Sequence, residues 1–280
     1  MTFDIRALLP DERCLLGGGP STAVTSRSHP RLPVWFAAVA EISKTADQAL
    51  TVLLEVGERG PVTPAALARS LGMNRTVVHR LLTTLHQRGF ITRQEDGYVP
   101  GAILVRIADH VQPELRAQAR RAMRELSDAV GETVVMHIPD GEDAVVLDQV
   151  VSERNVVRVE HQIGSRHALV QGASGRAILA FLSPQAIDRI VRRHDHPDAI
   201  RRQLEGVRQL GYSLSHDELQ QGVHGLAVPV LDGAGVAVAS LAILVPVTRA
   251  TSITQHTDAL LQSAASLSAA LSGAEQLAAR

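Results

Sequence analysis

Thiols and aromatic rings are scarce in this chain. Among 280 residues there is one cysteine, Cys14, and aromatics make up 2%. A single thiol excludes an internal disulfide framework and any zinc site built on several thiolates. Long apolar runs are missing too. The longest, Val34–Ala40, is far short of the ~20 residues that a membrane span needs, so no membrane partner is expected. No basic stretch precedes an apolar core at the N-terminus, so no secretory signal is expected and a reducing, cytoplasmic location follows. Charge excess is lacking as well, with 28 Lys+Arg against 29 Asp+Glu. What remains is ordinary globular material, 45% hydrophobic and 20% charged. It excludes global disorder and fits one large domain or two smaller ones.

Residues 1–42 read as a tail. Gly17-Gly18-Gly19-Pro20 and the stretch with Pro30 and Pro33 offer turn chemistry and little apolar periodicity. Only Val34–Ile42 suits a short apolar helix. From Thr45 the pattern sharpens. Thr45 and Gln48 have capping-box spacing, and Ala46, Ala49, Leu50, Leu53 and Leu54 recur at helical intervals. A second helix is predicted from Pro64 to Leu71, with Thr63 as N-cap and proline at the first position. After Gly72-Met73-Asn74, a third helix runs from an Asn74 cap to Arg88, with Val78, Leu81, Leu82 and Leu85 on its apolar face. Phe90–Arg93, the turn signal Asp96-Gly97 and Tyr98–Pro100 then predict a β-hairpin.

Two helices joined by a tight glycine-containing turn and followed by a hairpin describe a winged helix-turn-helix. The buried face of the third helix turns Thr76, Arg80, Thr83 and Gln87 outward, flanked by Arg75, Val77 and His79. Short polar side chains with arginine near a helix N-terminus suit a major groove, where arginine forks onto guanine and a methyl group meets thymine. Charge distribution agrees. Five arginines (69, 75, 80, 88 and 93) and no acidic residue lie between Arg69 and Arg93. Residues 43–100 carry seven basic against five acidic groups, while 101–280 carry seventeen against twenty. That is the electrostatic footprint of a DNA reader, with Arg75, Thr76, Val77, His79, Arg80, Thr83 and Arg93 as candidate contacts.

The stretch Gly72–Leu82, followed by Thr84-Leu85 and Arg88-Gly89-Phe90, resembles the helix-turn-helix of IclR-type bacterial transcriptional regulators. Gly131-Glu132-Thr133-Val134, Gly175-Arg176-Ala177, Gly211-Tyr212-Ser213 and Gly225–Val230 extend the resemblance in the family's order, over about residues 43–275. One departure is Asn74, where the family more often has proline. The resemblance implies an α+β protein: an N-terminal winged helix-turn-helix (43–100), a linker helical region (101–130) and a GAF-like effector-binding domain (131–280). It also implies a palindromic double-stranded DNA operator, a small-molecule effector and a homodimer or homotetramer.

The second half reads consistently from its residues. A helical region begins at Ala102, breaks at Pro113 and resumes to Val130, with Arg116, Arg120, Arg121 and Arg124 expected on a solvated face. Strands are predicted at Thr133–Ile138, Ala144–Val151 and Val156–Glu160, with helices at Gly175–Leu182, Pro184–Arg193 and Pro197–Leu210. Ser215-x-x-Glu218 predicts a capped short helix, Leu226–Leu231 and Val236–Val245 a hairpin, and the region from Ile253 a closing helix. Carried over from the resemblance, the effector site holds Ala173, Ser174, Asp217, Gly225, Ala242 and Leu244. Ala173 and Ser174 would offer backbone N–H groups to an anionic group. Where family members carry serines and a cysteine, this chain has Ala242, Leu244 and Gly225. With Met136, Leu147, Leu169 and Ile178 nearby, the site should be apolar and suit an aromatic or alkyl acid.

Enzyme chemistry has little support. There is no G-x-x-x-x-G-K-[ST] phosphate loop, and Gly172-Ala173-Ser174-Gly175 lacks the spacing of a nucleophile elbow. His194-Asp195-His196 does not converge two imidazoles on a metal. The reading is therefore a ligand-responsive DNA-binding regulator, more a repressor of a metabolic operon than an activator, without cofactor, metal or catalytic residues. The alternative is a small-molecule-converting enzyme with a GAF-like domain.

Overall fold

The computed structural model describes residues 42–278. The tail over 1–42, its Val34–Ile42 helix and Cys14 fall outside the described residues, save Ile42. The chain divides into two compact units, with the break between Pro100 and Gly101.

The first unit contains α1 (Lys44–Arg59), α2 (Pro64–Ser70), α3 (Arg75–Gln87) and a hairpin of β1 (Ile91–Gln94) and β2 (Gly97–Pro100). Val52 and Val56 of α1, Leu67 and Ala68 of α2, and Val78, Leu81, Leu82 and Leu85 of α3 form its core with Ile91. Full burial of each such aliphatic side chain contributes about 1.5–3 kcal/mol, which holds three short helices that would be marginal alone. The caps are local. Thr63 Oγ1 accepts from Ala66 N at 3.2 Å and Asn74 Oδ1 from Thr76 N at 2.8 Å.

α1 is phased differently from its sequence pattern. Its N-cap is Ser43, so the Thr45–Gln48 capping box does not form. Two apolar stripes compete on this helix and share Ala49 and Leu53. The narrow core takes Ala49, Val52, Leu53 and Val56, leaving Leu50 and Leu54 exposed at 59% and 67%. The hairpin also shifts by one residue: Gln94 pairs with Gly97, so Glu95-Asp96 make the turn. Gly97 serves another purpose. Val62 bridges to Tyr98 as a third short strand, through N···O contacts of 3.1 and 2.9 Å. At φ 144°, a Cβ on residue 97 would lie 2.6 Å from the Val62 carbonyl, so only glycine permits the approach.

The second unit opens with α4 (Ile103–Ala108) and α5 (Pro113–Val130). Six strands follow: β3 (Thr133–Asp140), β4 (Asp143–Val150), β5 (Arg166–Ala168), β6 (Ser213–His216), β7 (Val223–Leu231) and β8 (Ala237–Pro246). They form one antiparallel sheet in the order β5-β4-β3-β8-β7-β6. Between β5 and β6 run α6 (Gly172–Leu179), α7 (Pro184–Val191) and α8 (Pro197–Leu210). A 3-10 helix (Val247–His256) leads into α9 (Thr257–Ala278). The architecture is α+β, as expected.

Register sorts the side chains of this sheet by face, because alternate residues point to opposite sides. One face carries Val134, Met136, Leu226, Val228, Leu241 and Ile243, packed under Leu115, Met123, Leu260 and Leu267 of α5 and α9. The other carries Val135, His137, Ser240, Ala242, Leu244, Gly225 and Ala227, and it is covered by α6. A bulge opposite Met136/His137 adds Leu147 to the first face.

Four sequence expectations change here. Residues 156–160 form no strand, because residues 164–168 already occupy the outer edge of β4. The segment instead lies over the α6 side of the sheet, with Val159 packed on Val135, Val146 and Leu244. The Gln149 side chain clasps the backbone of His161 through contacts of 2.6 and 2.9 Å. Arg249 holds the same segment by bonding both the Glu132 carboxylate and the Val157 carbonyl. The capped helix after Ser215 is absent, since Glu218 is drawn into an ion pair. α6 starts at Gly172, three residues early. Arg120 is not merely solvated: its guanidinium bonds both oxygens of buried Asp148 at 3.2 and 2.9 Å, tying α5 to β4.

Candidate DNA-reading surface and effector site

On α3, burial of Val78, Leu81, Leu82 and Leu85 leaves Arg75, Thr76, His79, Arg80 and Thr83 exposed along the opposite side. Val77 is half-buried against the core, so little of it is open to a groove. Thr83 donates its hydroxyl to the His79 carbonyl at 2.9 Å, which leaves its methyl outermost. Arg93 is exposed on β1, in the wing. The surface from Arg69 to Arg93 is thus cationic, short-chained at the α3 N-terminus and free of carboxylates, the combination that a major groove and its phosphates select.

The sequence candidates for the effector site separate into three groups. Ala173, Gly225 and Ala242 do come together: Ala173 and Ala242 pack with Ala177 and Ala227, and Gly225 lies under Ala173 and Leu244. Leu244 joins the Val135–Val146–Val159 cluster beside them, and Ser174 is buried in the first turn of α6. Met136 and Leu147 lie on the opposite face of the sheet, against α5 and α9. Strand alternation decided this, and single apolar residues in a sequence do not declare a face. Leu169 and Ile178 belong to a separate cluster under α7 and α8.

Asp217 is also placed elsewhere. At φ 57° its Oδ1 accepts from Gly222 N at 2.7 Å, closing its own loop. The carboxylate at the α6 N-terminus comes from its neighbour. Glu218 accepts from Gly172 N at 2.9 Å and receives Arg176 Nη1 and Nη2 at 2.6 and 2.7 Å. Arg176 is bound further by the Leu214 carbonyl and Ser213 Oγ. Burial raises the Glu218 pKa, but the Arg176 hydrogen bonds, the Gly172 N–H and the charge of Arg176 outweigh it and hold the group below its usual value. The anion position at this helix end is therefore filled by the chain itself.

A row of polar groups that the sequence reading missed borders the same site. Ser240 and His137 are partners across β8 and β3, and the His137 ring lies 5.3 Å from that of His167 and 5.9 Å from that of His161. Burial, then the fields of His167 and His161, push His137 well below the usual histidine range, so it is neutral. Burial lowers His161 and His167 in the same direction. No group of three His, Cys, Asp or Glu among the described residues is arranged to hold a metal ion. The signal available in the sequence was the polar histidine at the end of Thr133–Ile138, inside an apolar strand.

A DNA-reading winged helix joined to a sensor sheet defines a one-component transcriptional regulator. Residues 109–271 match the model of the bacterial transcriptional regulator IclR C-terminal domain, and residues 44–98 match that of the MarR family. The chain belongs to the IclR family of transcriptional regulators. It is 30% identical over 206 residues to the probable transcriptional regulator SauR of Cupriavidus necator, covering 69% of this chain and 81% of that protein. To the transcriptional repressor IclR of Escherichia coli it is 28% identical, covering 69% and 76%. The crystal structure of an IclR homologue complexed with 4-hydroxybenzoate, from Microbacterium hydrocarbonoxydans, shares the fold. Its TM-score is 0.68 at 20% identity, covering 80% of this chain and 97% of that one. The relatives are regulators, so the enzyme alternative falls away. No described helix is long and apolar enough to cross a membrane.

Proposed function

We propose that the protein is an effector-controlled repressor that binds a palindromic operator as a homodimer and releases it when a small organic acid or aromatic compound occupies the α6 side of the sensor sheet. The observation that carries the DNA half is the exposed arginine- and threonine-bearing side of α3, set by its four buried core residues. The sensor half is supported by the alanine-lined floor beneath α6, and by two relatives: one described as a repressor and one solved with an aromatic acid. Exposed apolar side chains support dimerisation, namely Leu50 and Leu54 on α1 and, in the second unit, Val105, Ile107 and Val111. An effector acts only through its differential affinity for the operator-bound and free states.

The test is a gel shift on DNA upstream of the protein's own gene. Arg80→Ala should weaken specific binding by about 1–3 kcal/mol and relax the base preference at one position in each half-site. Unchanged affinity would remove Arg80 from the reading surface. A monomer in sedimentation equilibrium with DNA bound would remove the dimer.

A further inference from the structure

Ser240, His137 and His167 lie in one row beside the first turn of α6. Ser240 is 0% and His137 1% exposed, yet Ser240 Oγ and both His137 ring nitrogens have no hydrogen-bond partner among the described residues. Nor has His167 Nε2. Buried polar groups of folded proteins are paired as a rule, and leaving one unpaired forfeits its solvation without return. Several adjacent orphans facing one place therefore mark a position built for something else. That place is bounded. The His167 ring lies against Gly172, where a Cβ would come 3.5 Å from its Cε1 and 2.8 Å from Leu219 Cδ1. His161, His167, Arg166, Leu219 and Gln220 line a cavity of about 280 Å³ at its outer end.

The chemistry of the row selects its ligand. His137 is neutral, so it offers one N–H and one lone pair. His167 Nδ1 faces the Ala168 carbonyl at 3.2 Å and must carry the proton, which leaves Nε2 as an acceptor. Ser240 both donates and accepts. A carboxylate can only accept, and it would meet the lone pair of His167 Nε2, while the two nearby cations are already paired, Arg166 with Asp140 and Asp143 and Arg176 with Glu218. A hydroxyl group donates and accepts, which matches the row. Val146, the strand partner of His137, packs with Val135, Val159 and Leu244, so the row is bordered by apolar side chains.

We propose that Ser240, His137 and His167 are the hydrogen-bonding end of the effector cavity and take a small neutral molecule bearing a hydroxyl group, an alcohol or a phenol. This rests on the effector-controlled reading above and narrows its effector to a neutral hydroxylated molecule, against the organic acid. The experiment compares matched probes on the full chain by calorimetry: benzyl alcohol against toluene, phenol against fluorobenzene, and benzoate as the carboxylate. Each hydroxylated member should bind about tenfold more tightly than its partner, and benzoate no better than toluene. His137→Leu and Ser240→Ala should lose that discrimination, to within about twofold.

A ligand-free readout separates this role from a structural one. Relieved of orphaned polar atoms, His137→Leu should melt about 2–4 °C above the parent and Ser240→Ala no lower than the parent. Ser240→Ala keeps the test decisive if His137→Leu does not fold. Four results would overturn the inference: equal binding within each pair, tightest binding of benzoate, no binding of either alcohol, or melting several degrees lower for Ser240→Ala. If the parent protein binds no operator DNA, the regulator reading falls instead.

Discussion

The two units keep their polarity in opposite places. In the first, the core is wholly apolar and every polar or charged candidate contact lies on the surface of α3 or the wing. In the second, ten polar or charged side chains are buried, and among the described residues there are no others. Most of them flank α6 and the sheet face beneath it. A unit that reads a polyanion in water needs charge outside and rigidity within. A unit that encloses a small molecule has to bury hydrogen-bonding groups, and each one costs stability until it is matched. The sensor sheet eases that conflict by a partial division: the α5/α9 face is mainly apolar, its buried Asp148 matched by Arg120 of α5, while the α6 face carries most of the polar groups, several of them unmatched.

The largest test of this division is Met136→Ala. On the α5/α9 face, deletion should cost about 2–5 kcal/mol of unfolding free energy in urea while leaving the effector response intact. Loss of the response with little change in stability would return Met136 to the ligand site and break the comparison. Next comes the ion pair that crosses to α6. Glu218→Ala strands Arg176, whose side chain is 10% exposed, and should cost about 2 kcal/mol, less than a fully buried pair because Glu218 is itself 34% exposed. Its pH dependence follows from the depressed carboxylate. The contribution is complete above the ordinary value of 4.5 and drains away as pH falls through the lower folded value. Urea titrations carried down from pH 6 through the acid range should therefore bring the parent and Glu218→Ala steadily closer. A gap that stays constant would mean that the pair's charge contributes nothing. The smallest effect belongs to the first unit. Asn74→Ala removes a surface cap and should cost about 1 kcal/mol, read by thermal melting of residues 43–100 within the full chain.

Legibility followed the same division. α2, α3 and the wing could be read because their signals are local: Thr63 and Asn74 cap where they stand, and four apolar residues at helical spacing choose one face. α1 was misphased because two stripes overlapped on Ala49 and Leu53. On the sensor side, α5, α7, α8 and both long hairpins were legible from periodicity and turn residues. β5 was not, being three residues of Arg-His-Ala with no pattern of their own. Val156–Glu160 had a strand's composition but no free sheet edge to join. For the site, the resemblance placed Ala173, Gly225 and Ala242 together. It gave Asp217 to the effector site, where the structure has Asp217 closing its own loop and Glu218 at the α6 N-terminus, and it offered no reason to look at His137.

By itself, then, the sequence determined the helices and wing of the first unit, most elements of the second, the cationic reading helix and the family. Those rest on interactions between residues a few positions apart, or on charge, which needs no partner to be counted. Only the tertiary structure decided which face of the sheet Met136 and Leu147 occupy, which carboxylate reaches the α6 N-terminus, and which buried polar groups face one another. Each of these depends on strand register and on contacts across tens of residues, where a shift of one position exchanges the two faces.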